Sequence, residues 1–304
     1  MEVELLYTLG KFILYVIVEL SIILIIAMIV AELILDYVDL GKVAEILGRR
    51  GRTTGMLLSV LFGLVTPFCA CSTIPVVVGM NNAKLPFGIT MSFLLASPVL
   101  SFMILGGITA VFNLEVAILY LLLIALSALL IGNIMEAAGM SKYIKRVRVE
   151  GGMQQADYTG MTRRQEFMVR LKGATIRGLT ACKRIIPYII LGACLGTITA
   201  AFFTEEVIFR YLGPQNFYAV PAASAVGIPL AIDPAATLSL CLAFHAKGAS
   251  MGTVMAFLIS TIGASIPMFV MLSSIYKKKL IVVYVGLIYI AIVAIGFIFN
   301  ALGS

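Results

Sequence analysis

Six stretches of this chain run for about 20 residues or more with almost no charge in them. They are Phe12–Tyr37, Phe87–Val111, Leu114–Met135, Cys182–Phe203, Met251–Ser274 and Leu280–Asn300. A helix of that length reaches across the ~30 Å hydrocarbon core of a bilayer. Composition points the same way, with 61% hydrophobic and only 12% charged residues, where a soluble domain carries about 25% charge. So little charge cannot coat a water-facing surface, which excludes a soluble enzyme, a disordered chain and a disulfide-stapled secreted domain. The fold class is an all-α polytopic membrane protein. The start, MEVELLYTLGKF, is acidic and its apolar run continues too far for a cleavable signal, so the first helix is expected to stay as an anchor. Five cysteines without framework spacing argue against structural disulfides.

Two further apolar stretches differ from the six. Thr54–Met80 carries TPFCACSTIP and Phe217–His245 carries GIPLAIDPAAT. Pro67, Pro75, Pro229 and Pro234 remove helical hydrogen bonds there, so each segment is expected to break. Broken backbone at membrane depth is tolerated only where it is buried or lines a cavity.

Positive charge decides whether these segments cross or return. If both are re-entrant and the N-terminus lies outside, 17 of the 22 basic residues fall on inside loops, among them Arg49, Arg50, Arg52, Lys84, the cluster within Glu136–Arg177 and Lys277–Lys279. Only Lys11, Arg210 and Lys247 fall outside. If both segments cross, the best split is 12 against 8. The re-entrant topology is the better one, with both termini outside and the 136–177 loop cytoplasmic in a plasma-membrane protein. The net charge of +7 is then an orientation signal rather than a nucleic-acid footprint.

Three crossings per half would give the halves opposite orientation. The sequence repeats accordingly: Pro67 matches Pro229 at an offset of 162, and FGITMSFLLAS (Phe87–Ser97) matches MGTVMAFLIST (Met251–Thr261) at 164. The expected organisation is a first transmembrane repeat over 1–135, a basic linker over 136–177 and a second, inverted repeat over 178–304. Within the linker, Thr162 is a candidate N-cap, and Phe167, Leu171 and Ala174 recur at helical spacing. That reads as a basic amphipathic helix against anionic lipid, with a plain topology signal as the simpler alternative.

Cys69-Ala-Cys71 is the most specific chemical feature. In an irregular segment two thiols at i and i+2 can converge on one soft atom, and thiolates suit thiophilic species. The alternative is packing, since a buried Cys behaves as a small hydrophobe. Ser72, Thr73 and Pro75 would open the second half-helix, whose free N–H groups carry partial positive charge. Asp233-Pro234 reads as an N-cap followed by proline at the first helical position. At the offset of 162, Cys71 pairs with Asp233. An acid at membrane depth is a functional candidate, here for proton coupling. Thr237 lies one turn further on and joins Cys69, Cys71, Ser72, Thr73 and Asp233 as a candidate substrate contact. Elsewhere, Glu19 is expected to face Lys183 or Arg184, His245 reads as structural, Pro98 and Pro267 as kinks, and Cys182, Cys194 and Cys241 as packing residues.

TPFCACSTIPVVVGM, the Lys84-Leu-Pro-Phe-Gly turn and FLLASPVLS resemble the first-half signature of the ArsP-type predicted permeases. GIPLAIDPAATLSL, HAKGAS and MAFLIS occupy the place of the second-half signature, and the resemblance runs from about Leu20 to the C-terminus. It implies an efflux permease for a metalloid or for trivalent organoarsenicals such as methylarsenite, with Cys69 and Cys71 at the family's Cys-containing motif. One departure is Ala231-Ile232-Asp233, where family members often carry a Cys/Gly-rich stretch. A three-thiol site is therefore unsupported, which leaves a two-thiol metalloid site at Cys69 and Cys71 or a different substrate altogether. No cofactor is implied, a homo-oligomer is compatible with the sequence, and no nucleotide-binding motif is present to drive transport. Two other readings compete: transport of a small sulfur-containing or oxyanion solute, and a membrane thiol oxidoreductase, which the strained small ring of a CxC disulfide disfavours.

Overall fold

The computed structural model describes residues 29, 33, 51–66, 70–82, 84–145, 162, 164–176, 179–180, 218–230, 234–246 and 248–302. The chain divides into two compact units, Met1–Asp39 with Arg148–Ala193, and Leu40–Val147 with Cys194–Ser304. In the first unit, a helix over 164–176 starts at the predicted cap: Gln165 Oε1 accepts from Thr162 N at 3.1 Å and from Thr162 Oγ1 at 2.6 Å. Glu166 and Arg170 pair one turn apart at 2.7 Å.

The described part of the second unit is helical, with a single isolated bridge between Ile144 and Tyr276. Its helices are α1 (Arg52–Val65), α2 (Ala70–Asn82), α3 (Phe87–Val99), α4 (Phe102–Val111) and α5 (Leu114–Ala137), then α6 (Ala219–Gly227), α7 (Pro234–Ala246), α8 (Met251–Gly263), α9 (Ile266–Leu272) and α10 (Lys278–Leu302). Leu114–Ala137, Met251–Leu272 and Lys278–Leu302 are long and apolar enough to cross a membrane. Phe87–Val111 is a bent pair rather than one straight span, turning by 43° between α3 and α4. Pro98 sits inside α3, and the break follows it at Leu100–Ser101. The expected spans Phe12–Tyr37 and Cys182–Phe203, with the Glu19 pairing, lie outside the described residues.

Each proline-bearing segment holds two separate helices. The first breaks between Val65 and Ala70, the second between Gly227 and Pro234. Each piece is short: α1 has 14 residues and α2 has 13, or ~20 Å apiece at 1.5 Å per residue, too little to span. α2 runs through Pro75 without interruption.

The helices form two series that match at one offset. α2, α3, α4 and α5 begin 164 residues before α7, α8, α9 and α10. The buried face of α5 (Tyr120, Ile124, Ala128, Ile131, Gly132, Met135) falls on that of α10 (Tyr284, Ile288, Ile292, Ile295, Gly296, Phe299) at the same shift. The opposite faces expose Ile118, Leu122, Leu126 and Leu130 on α5, and Val282, Ile290 and Ile298 on α10. Such apolar ridges are what a lipid-facing helix presents.

Capping contacts repeat too. Gly88 N donates to Glu136 Oε2 at 2.9 Å, and Gly252 N donates to Asn300 Oδ1 at 2.8 Å. Each satisfies an N–H at a helix start that has no partner within its own helix. The turn after α2 is closed by Lys84 N to Asn81 O and Leu85 N to Met80 O, and that after α7 by Gly248 N to His245 O and Ala249 N to Phe244 O. Both turns need a left-handed residue. Gly248 supplies it freely at φ 91°, whereas Lys84 adopts φ 56° at a cost.

These contacts fix where the ends lie. Arg52 and Gly88 both reach Glu136, Asn81 reaches Tyr276, and Lys145 N bonds Ile275 O, so α1 begins and α2 ends at one end of the unit. α5 finishes at that end and α10 starts there. Asn300, at the far end of α10, caps α8, and a Cβ on Gly296 would meet Val220 near the start of α6. Within this unit, residues 51–52, 84–88, 136–145 and 275–278 therefore meet at the first end.

The close approach at Gly252 forbids a side chain, since a Cβ there would collide with Gly296 O and Asn300 Oδ1. Gly286, on the same α10 as Gly296, faces open space. Gly252→Ala is therefore expected to destabilise by about 1–3 kcal/mol. Gly286→Ala should be neutral, or stabilising by up to ~1 kcal/mol through helix propensity. Thermal unfolding of the two variants in detergent checks the contrast.

Candidate functional site

A helix interrupted in a membrane releases N–H and C=O groups that need partners, so the two breaks are where polar chemistry gathers. Beside the first break, Thr66 Oγ1 donates to Phe62 O at 2.7 Å, and Thr73, fully buried in α2, donates to Ser97 Oγ of α3 at 3.4 Å. Beside the second, Leu230 N bonds Gly227 O at 3.1 Å and Ile266 N bonds Ile228 O at 3.2 Å, tying the segment to the start of α9. Pro229 stands half-buried in this turn. Thr237 is fully buried on α7, and Thr261 Oγ1 donates to Phe257 O at 2.9 Å within α8.

Thr73 and Thr237 are 164 residues apart, as are Ser97 and Thr261. At this offset, which the helix starts obey, Asp233 corresponds to Cys69, whereas matching the prolines at 162 set it against Cys71. From the end of α6 to the start of α7 is two residues more than from the end of α1 to the start of α2, and the two offsets differ by that amount. Between the halves, Val99 faces Gly263, again 164 apart: a Cβ on Gly263 would lie 2.7 Å from Val99 Cγ2.

The placement of the other predicted residues is uneven. Pro67, Cys69 and Asp233 lie outside the described residues. Cys71 and Ser72 fall in the first turn of α2, and Pro75 later in the same helix. Pro234 is the first residue of α7, the position that tolerates a missing N–H. Cys241 is buried on α7 with its thiol 3.7 Å from Val254 O, a packing position. Among the described residues no three His, Cys, Asp or Glu side chains gather where they could hold a metal ion.

The ArsP_1 family, described as a predicted permease, matches residues 6–301. The chain belongs to this family. Neither the curated proteins nor the solved structures gave a match. Family and helices together make it a multi-pass membrane permease.

Sequence reasoning missed Glu136, which stood only as the edge of the linker. It accepts from Gly88 N and lies 3.6 Å from Arg52 Nε, while Arg52 also donates to Asn133 O at 3.0 Å. The match of Glu136 to Asn300 becomes visible once α5 and α10 are aligned at 164. Tyr120 was missed as well: it is fully buried and donates to Val99 O at 3.0 Å, steadying the residue where the halves meet. Its counterpart Tyr284 is equally buried, but its hydroxyl has no partner among the described residues. Tyr120→Phe is therefore expected to destabilise by ~1 kcal/mol, and Tyr284→Phe by less or not at all. Parallel denaturation midpoints of the two variants decide it.

Proposed function

We propose that this permease is a secondary transporter of two inverted repeats, 1–135 and 178–304, joined by the 136–177 linker. Each repeat has three spanning helices and one broken, re-entrant segment. The observation that supports this reading best is that α5 and α10 share one pattern at an offset of 164, yet α5 ends where α10 begins. In transporters so built, broken helices bring substrate to the interface of the repeats near the midplane. The cargo of this reading is a thiophilic trivalent metalloid or organoarsenical, exported from the cytoplasm across the plasma membrane. Cys69 and Cys71 supply soft ligands, while Ser72, Thr73 and Thr237 supply hydroxyls around them. Asp233 releases a proton as cargo binds and recovers one from outside, making the exchange an antiport. Family membership and the thiol pair support the cargo class.

Export is read as accumulation of methylarsenite in inside-out vesicles. Cys69→Ser with Cys71→Ser is expected to cut the initial rate at least tenfold, and unchanged transport in that double variant sinks the thiol role. Asp233→Asn should abolish the response of the rate to an imposed pH gradient. The buried hydroxyls of Thr73 and Ser97 favour a second cargo class, a small oxyanion or sulfur-containing solute. Competition by such anions, with indifference to arsenicals, would select it.

Sidedness is tested separately. With N- and C-termini outside, a cysteine introduced at Tyr158 in the linker should react with a membrane-impermeant maleimide only in inside-out vesicles. One introduced at Asn113 should react only in right-side-out vesicles. The reverse pattern, or labelling of both from one side, overturns the topology.

A further inference from the structure

Each broken segment touches the opposite half at a contact that has a counterpart 164 residues away. In the last turn of α2, Asn81 Nδ2 donates to Tyr276 Oη at 3.1 Å. In the last turn of α7, His245 meets the Phe112 ring edge-on, with centroids 5.6 Å apart. Asn81 corresponds to His245 and Phe112 to Tyr276, so this is one contact made twice, once at each end of the unit.

The two versions are not equally strong. Tyr276 is 1% exposed, carries the Phe87 ring edge-on at 6.2 Å and forms the bridge to Ile144. Around it, Lys145 N bonds Ile275 O at 2.7 Å, Lys277 N bonds Tyr143 O at 3.0 Å and Lys145 Nζ reaches Ser273 O at 2.6 Å. Burial raises the Tyr276 phenol above its ordinary range, although the Asn81 hydrogen bond pulls the other way, so it stays a neutral partner. At the other end His245 is exposed, and among the described residues its ring has no hydrogen bond or ion pair beside the Phe112 contact.

We propose that Asn81–Tyr276 and Phe112–His245 are the two latches that set from which side the permease opens, and that the Phe112–His245 end releases first. The inference rests on the inverted-repeat transport reading, in which access alternates by parting the halves at one end while the other stays closed. Breaking the first latch strands a buried phenol and amide, whereas breaking the second separates one partly solvated ring pair.

Pulsed electron–electron distance measurements on the full chain in liposomes test it, with the five native cysteines changed to serine. Spin labels at Lys84 and Lys278 report the first end, and labels at Leu114 and Ala246 the second. The expected result is one narrow distance at the first end and a second, longer population at the other. Tyr276→Phe should raise the open-to-closed ratio at the first end about fivefold, the size of one net hydrogen bond, and leave the second end alone. Exchanging the chemistry (Asn81→His and Tyr276→Phe with Phe112→Tyr and His245→Asn) should carry the narrow distance to the second end. Unchanged distances in Tyr276→Phe, or equal widening at both ends, overturn the proposal. Asn81→Ala, with the same expected shift and the same overturning results, replaces Tyr276→Phe if that variant is not recovered from membranes. The distances are read without cargo, so their failure leaves the transport reading standing. That reading falls instead if vesicles carrying the protein accumulate neither methylarsenite nor a competing oxyanion above empty vesicles.

Discussion

Inside a bilayer no water is available to a freed backbone group, and this constraint governs the described architecture. Helix starts need acceptors, which α5 takes locally from Asn113 and α3 and α8 also take from distant side chains. Gly88 N finds the Glu136 carboxylate and Gly252 N finds the Asn300 amide, each reaching in from the far end of a long helix. The breaks obey the same rule: Ile228 O is taken up by Ile266 N, and the Thr66 hydroxyl is returned to Phe62 O. Interrupted helices survive here because neighbouring segments absorb what the interruptions expose.

Close packing follows from those capping contacts. Glu136 and Asn300 can reach their glycines only because Gly88, Gly132, Gly252 and Gly296 let backbones approach where a Cβ would collide. Small residues at helix contacts suit a membrane protein, in which association depends on van der Waals contact rather than on expelling water. Between these contacts large side chains such as Tyr120, Tyr284 and Phe299 fill the interior, while the outer faces of α5 and α10 are apolar as well. A soluble protein would carry polar residues on those outer faces.

The spans were legible because length and hydropathy suffice for them: Leu114–Met135 and Leu280–Asn300 were placed to within two residues of the helices α5 and α10. Proline marked the two segments in which separate helices are found, although α2 continues through Pro75. The bend between α3 and α4 was harder, since Pro98 announces a kink but not whether the helix stops at it or two residues later. Register was the weakest point. Pro67 and Pro229 match at 162 and Phe87–Ser97 matches Met251–Thr261 at 164, and the helix starts follow the second of these. Glu136 was hidden because a carboxylate at the edge of a basic loop resembles any surface acid until its partner, a backbone N–H, is seen. The chemistry proposed for Cys69, Cys71 and Asp233 comes from residue type and family alone.

Val99 against Gly263 carries one more implication. Two identical surfaces meeting across a twofold axis must place the same residue against itself there. Two valines would clash, and two glycines would leave a void and two flexible points in adjacent helices. A large residue set into a small one is complementary, and that solution is closed to two identical surfaces. A single chain can thus hold a matched knob and socket at two positions 164 residues apart, which two identical copies could not place against each other.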